Sequence, residues 1–219
     1  MILNPGRPFG VFLCMELIEK IAVALERPLP GAEAQYRMAH AARSSYPRAK
    51  QNTRIASVLL LLYPKQDSWH TLYIQRVSSN PNDRHRGQIA FPGGMRESGD
   101  LDLAHTALRE AEEEVGLAQD RVQMLGQLTP LYIPVSNFLV HPFIGFTDHT
   151  PGWTLQADEV AEIIEVPLSH MRDPLIRRYK HIQLSPRLTL RNVPYFDLEG
   201  RVLWGATAMI TNEFLELDW

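Results

Sequence analysis

Arg109-Glu110-Ala111-Glu112-Glu113-Glu114-Val115-Gly116-Leu117 is the stretch on which the fold turns. A helix advances about 100° per residue, so Glu110, Glu113 and Glu114 share one narrow arc. Ala104, Ala107, Leu108, Ala111 and Val115 fall on the other side as an apolar stripe suited to docking on a sheet. Like charges at i, i+3 and i+4 destabilise a helix by a few tenths of a kcal/mol per pair. A cation among them reverses that penalty. Hard divalent ions want carboxylate oxygens and keep waters that substrate phosphates replace. A charge run is more often a solvated face, but three neighbours tip the reading towards metal. Arg109 is placed to orient a carboxylate or a phosphate. Gly116 stands where a helix stop is expected. Upstream, Phe91-Pro92-Gly93-Gly94 reads as a glycine turn that lets backbone approach an ion or phosphate closely.

These residues resemble the Nudix box, the signature of Mg²⁺-dependent hydrolases that split nucleoside diphosphates linked to another moiety. Arg-Glu-x-x-Glu-Glu-x-Gly-apolar matches at every fixed position. In the N-terminal half, counting from Gly94 lands on Asp100 in place of the usual Glu, with Glu97 a second acid nearby, and the following gap is one residue longer. The longer gap is similar to the coenzyme A diphosphatase branch, whose box reads Phe-Pro-Gly-Gly, two spaced acids, then Thr-Ala-Leu-Arg-Glu-Ala. Here these are Phe91 to Gly94, Glu97, Asp100, and Thr106 to Ala111. That branch also carries an element ahead of the box, matched by Leu72 to Arg76 and then His85, Gly87 and Gln88. Asp83 stands where an Arg is usual, with Arg84 displaced by one, and Val77 to Arg84 is about two residues longer than the pattern.

The resemblance implies a three-layer α/β/α sandwich around a mixed β-sheet, the Nudix fold. It implies Mg²⁺ or Mn²⁺ held by Glu110, Glu113 and Glu114, with the carbonyl of Gly93 or Gly94 as an extra ligand. Such ions neutralise phosphoryl charge and activate water. The general base is either Glu113 or Glu159, the latter because Asp158-Glu159-Val160 resembles an Asp-Glu-Val of this branch. Arg109 is a catalytic candidate. Arg76, His85, Gln88, Phe91, Gly93 and Gly94 are candidate substrate contacts, with packing the competing role, above all for Phe91. The implied substrate is coenzyme A or an acyl derivative, cut to 3′,5′-ADP and 4′-phosphopantetheine. Alternatives are a hydrolase of ADP-ribose, dinucleotides or nucleotide sugars, and a silent Nudix-like domain that senses a nucleotide. Retention of all three glutamates favours an enzyme.

Composition fits. The chain has 219 residues, 45% of them hydrophobic, and a net charge of −3. That charge gives no reason to expect nucleic-acid or membrane-surface partners. One cysteine, Cys14, excludes an internal disulfide and any multi-cysteine zinc site, so a reducing, cytoplasmic setting is expected. The longest apolar run, Ile55 to Tyr63, is strand-sized. Met1 to Cys14 lacks the features of a signal peptide, and Met15 is an alternative start. Oligomeric state stays open, a homodimer included.

Residues 1–50 are expected as an N-terminal helix, Met15 to Arg27, and a connector, with the polar, Ala-rich stretch Gln35 to Arg54 crossing the surface. Residues 51–219 are expected as the hydrolase domain. Strands are expected at Ile55 to Tyr63, Thr71 to Arg76, Val122 to Leu128, Val140 to Phe146 and around Asp158 to Leu168. A late hairpin is expected from Arg187 to Arg191 and Val202 to Trp204, then a closing helix over Ala206 to Leu217. No phosphate loop, nucleophile elbow or His-Glu-x-x-His pair is present. His105 and His141 read as a surface and a packing residue.

Overall fold

A computed structural model of the chain describes residues 9–41, 43, 46–77, 87–185 and 187–219, with side chains from Met15 onward. His85 lies outside the described residues. The apolar run becomes β1 (Arg54–Lys65), the hub of the main sheet. A tight turn joins it to β2 (Ser68–Arg76), antiparallel, with Lys65 opposite Ser68. Further along the same edge, β4 (Gly93–Met95) pairs antiparallel, Val58 opposite Gly93 and Ala56 opposite Met95. On the other edge β7 (Phe138–Phe146) runs parallel, from Arg54 opposite Phe138 to Leu62 opposite Phe146. β8 (Val160–Pro167) extends the sheet beyond β2, β3 (Ile89–Ala90) pairs with the far end of β2 on its β1 side, and β5 (Gln123–Gln127) and β6 (Leu131–Ile133) pair with β7. The sheet is mixed, as expected.

Strand alternation divides the core into layers. Leu60 and Leu62 of β1 pack towards α1 (Phe9–Leu25) and α5 (Gly205–Leu215), through Ile18, Ile21, Met209 and Phe214. Leu59, Leu61 and Tyr63 face α3 (Leu103–Val115), whose Ala107, Ala111 and Val115 are fully buried. This is the α/β/α arrangement. The short α4 (Leu168–Met171) follows β8. A second, antiparallel sheet, β9 (Arg177–Ser185), β10 (Leu188–Leu198) and β11 (Arg201–Trp204), contributes Phe196, Leu198 and Leu203 to the α5 side.

Several expectations need correcting. The first helix begins at Phe9 rather than Met15. The connector is not wholly a surface crossing, because α2 (Gly31–Tyr36) packs on α5 and buries Ala34 and Gln35, and Met38 beyond it is 4% exposed. The glycine pair lies in strand β4, not in a turn. The late hairpin joins Leu198 to Arg201, and Arg187 to Arg191 faces β9 instead. β6 and β9 have no counterpart in the sequence reading, since one is three residues long and the other almost wholly exposed.

Candidate active site

The acidic helix starts at Asp102, whose carboxylate accepts the His105 N–H at 2.8 Å, and stops at Gly116 in the left-handed conformation, φ 73°. A side-chain cap of this kind stabilises a helix start by about 1 kcal/mol. With its apolar stripe fixed on β1 and β2, the helix sends its glutamates around the edge of β4.

Two glycines make room for them. A side chain at Gly93 (φ 152°) would meet the Ser57 carbonyl oxygen at 2.3 Å. A Cβ at Gly94 would stand 2.4–2.5 Å from the Glu110 carboxylate. Glu114, 1% exposed, turns inward and accepts the Gly93 N–H at 2.8 Å, with Arg76 Nη1 at 3.4 Å. Burial pushes its carboxyl up to about 7, helped by Glu110 and Glu159 and opposed by the Gly93 N–H and Arg76. Glu110 is also raised, first by burial, with Glu113 and Glu159 adding repulsion and Arg109 opposing it. Glu113 projects outward, its side chain 58% exposed.

Arg109 binds the group together. Its Nε donates to Asp100 Oδ1 at 2.8 Å, and Nη2 donates to the Met95 carbonyl at 3.1 Å. The same guanidinium pairs with Glu110 and Glu113, each at 3.0 Å. Asp100 is buried and also accepts from Thr106 Oγ1 at 2.9 Å and the Glu97 N–H at 2.8 Å. The Arg109 guanidinium holds the Asp100 carboxyl well below its ordinary range. The acid in the variable half of the box therefore anchors the arginine. His105 Nδ1 lies 3.3 Å from Asp100 Oδ1, partly exposed as expected.

The expected arc of three carboxylates is thus spread in depth, with Glu114 inward, Glu110 between and Glu113 outward. Among the described residues no three acidic, histidine or cysteine side chains stand at metal-ligating distances. Arg109 draws Glu110 and Glu113 to itself, while Glu114 turns to Gly93. The donor set nonetheless suits a hard cation. It is all carboxylate, it converges where burial, with mutual repulsion added, raises Glu110 and Glu114, and Glu159 joins from just before β8 across the sequence.

Arg109, Glu110, Glu113, Glu114 and Glu159 border a cavity of about 800 Å³. Its floor is the α5-facing side of the main sheet, including Ala56, Val58, Phe138 and Val140. Its roof comes from Leu190, Val193 and Trp204 of the second sheet and Ala206, Met209 and Ile210 of α5. Arg76, Gln88, Phe91, Gly93, Gly94 and Glu159 line it too, so the structure gathers every described candidate at one cavity. Phe91 is 2% exposed, and its ring centroid lies 4.9 Å from that of Tyr73. It serves as packing in the cavity wall. His141 faces Gln127, as a packing residue would. The closing helix and the second sheet supply cavity walls that the sequence does not mark. Their apolar residues carry no signal that separates a cavity wall from a core.

Comparison with known proteins agrees with this geometry. The family model for the NUDIX domain matches residues 53–186. The chain is 37% identical over 171 residues to an uncharacterized Nudix hydrolase, NudL, of Photorhabdus laumondii, covering 77% of this chain and 87% of that one. It is 32% identical over 187 residues to the human mitochondrial coenzyme A diphosphatase NUDT8, covering 85% and 78%. It is 38% identical over 131 residues to the mouse peroxisomal coenzyme A diphosphatase NUDT7, covering 60% and 54%. With the box glutamates, their glycine strand and the mixed sheet all in place, the chain belongs to the Nudix hydrolase family.

Proposed function

We propose that this hydrolase cuts the diphosphate bridge of coenzyme A or an acyl derivative, releasing 3′,5′-ADP and 4′-(acyl)phosphopantetheine. The observation that carries the reading is the convergence of Glu110, Glu113, Glu114 and Glu159 on one end of a large, mostly apolar-walled cavity. A diphosphate fits the acidic end only with cations between, and the apolar walls accept a long, weakly polar arm. The names of the human and mouse relatives support coenzyme A over other linked nucleoside diphosphates.

Glu110, Glu113 and Glu114 would hold Mg²⁺ or Mn²⁺. When bound, the ions neutralise phosphoryl charge and make water a better nucleophile. Arg109, fixed by Asp100, keeps Glu110 and Glu113 on the cavity side. Glu159 or Glu113 takes the proton of the attacking water, and Glu159 is freer to do so because Arg109 pairs with Glu113. Arg76 and Gln88 border the bridge region as substrate contacts. The lone cysteine fits a reducing, cytoplasmic setting. Among the described residues no helix is long and apolar enough to cross a membrane.

The test is incubation with Mg²⁺ or Mn²⁺ and a panel of coenzyme A, ADP-ribose, NADH and diadenosine polyphosphates, with products resolved by chromatography. The expected result is 3′,5′-ADP from coenzyme A. Rapid cleavage of ADP-ribose with coenzyme A left intact would overturn the substrate assignment.

A further inference from the structure

The β9–β10 hairpin is set apart by charge. From Arg177 to Phe196 it carries Arg177, Arg178, Lys180, Arg187 and Arg191 and no Asp or Glu. The chain has 22 Lys and Arg against 25 Asp and Glu, so the remainder holds 17 against 25. A basic arm therefore projects from an acidic body. Within it, Arg178 is neutralised by Asp197 at 2.6 Å, and the Arg177 guanidinium lies 5.5 Å from the Phe196 ring. Lys180 is exposed and makes no ion pair among the described residues, with its Nζ 5.9 Å from the Tyr195 ring centroid.

Register places this lysine beside the roof of the cavity, on the sheet face that Val193 and Trp204 occupy. Lys180 is opposite Val193, and Tyr195 is opposite Trp204. Directly opposed residues share a face of the sheet, and Val193 and Trp204 both line the cavity. The arginines that line the cavity already have partners. Arg43 donates to the Tyr132 carbonyl, Arg76 to Glu114, and Arg109 to Asp100. The carboxylates enter from the α3 layer, so an anionic group of the substrate outside the bridge is repelled at that end and needs a counter-charge elsewhere.

We propose that Lys180 binds a phosphate monoester on the nucleoside half of the substrate, outside the diphosphate bridge, and so sets a preference for 3′-phosphorylated nucleotides. This rests on the function proposed above for the same cavity. It makes Lys180 a specificity residue, with the rest of the basic arm attracting the same polyanion over longer range.

The test measures equilibrium binding of adenosine 3′,5′-bisphosphate and 5′-AMP to the intact protein with Mg²⁺ present, then steady-state kinetics with coenzyme A and its 3′-dephospho form. The wild type should bind the bisphosphate about tenfold more tightly than 5′-AMP, a factor typical of one charge-assisted contact. Lys180→Gln should abolish that difference and raise KM for coenzyme A with kcat unchanged, while Lys180→Arg retains both. The preference should shrink as salt screens the exposed charge. Equal binding of the two nucleotides by the wild type, or a preference that survives Lys180→Gln, overturns the proposal. So does a defect confined to substrates with a carboxylate-ended acyl chain, which would put the anion on the other half. If the bisphosphate preference depends on Lys180 but coenzyme A is not cleaved, the substrate reading fails and this inference stands. Cleavage of coenzyme A with an indifferent Lys180 is the reverse case.

Discussion

At the scale of single residues, the site depends on two atoms that are not there. Gly94 leaves space for the Glu110 carboxylate, and Gly93 leaves space for the Ser57 carbonyl. The two have different consequences. In Gly94→Ala the obstacle is the far end of a flexible side chain, so Glu110 swings away and the fold survives. We expect kcat to fall about a hundredfold, the effect of misplacing a reacting group by roughly an ångström, with the melting temperature shifted by only a few degrees. In Gly93→Ala the obstacle is backbone and φ is positive, so about 3 kcal/mol or more of stability is lost. Thermal melts and coenzyme A assays on the two variants check this, and equal loss of stability in both would contradict it. The glutamates and glycines were legible because their spacing, together with Arg109, Gly116 and the upstream glycine pair, separates them from an ordinary charged helix. The role of Asp100 was not, since one acid among several does not announce that it will be buried beneath Arg109.

At the scale of elements, long apolar or amphipathic segments were legible and short or exposed ones were not. β1 and α3 each have a periodicity set by burial, whereas β9 has almost every side chain in solvent and so no pattern to read. α2 is six residues long and follows a proline, which reads as a break. What holds α2 in place is tertiary. Glu213 of α5, wholly buried, accepts the Gln35 Nε2–H at 2.7 Å, the Gly31 N–H at 3.2 Å and the Thr129 N–H at 3.1 Å. Glu213→Ala removes the acceptor of three N–H bonds, with Gln35 Nε2 keeping only its bond to the Thr129 carbonyl, at about 1–3 kcal/mol for each that water cannot replace. We expect a loss of about 3 kcal/mol or more in urea unfolding, with a loosened cavity roof and a raised KM. A change below about 1 kcal/mol would show that water replaces the carboxylate.

At the scale of the whole molecule, the described site depends on four separate stretches of chain: the glycine strand, the acidic helix, the entry to β8, and the second sheet with α5. The box made the first two legible, and family resemblance alone pointed to Glu159. The roof needed the fold. Because the carboxylates repel one another until cations arrive, metal binding should stabilise the folded protein as a unit. Mg²⁺ or Mn²⁺ at a hundred times its dissociation constant should add about 2.7 kcal/mol. Differential scanning fluorimetry should show a rise in melting temperature that chelator reverses and Glu110→Gln or Glu114→Gln weakens. An unchanged melting temperature in the wild type would place the ions elsewhere.

The carboxylate of Glu213 also constrains how the enzyme is born. It ties the chain near residue 31, the strand connection at Thr129 and α5, so a nascent polypeptide emerging from the ribosome lacks that fastening until α5 has been synthesised. The acidic helix and central strands are exposed to the cell before then, with their cavity unroofed. A chain made only as far as the second sheet would therefore be held open and inert, and turnover would begin only once α5 closes over it.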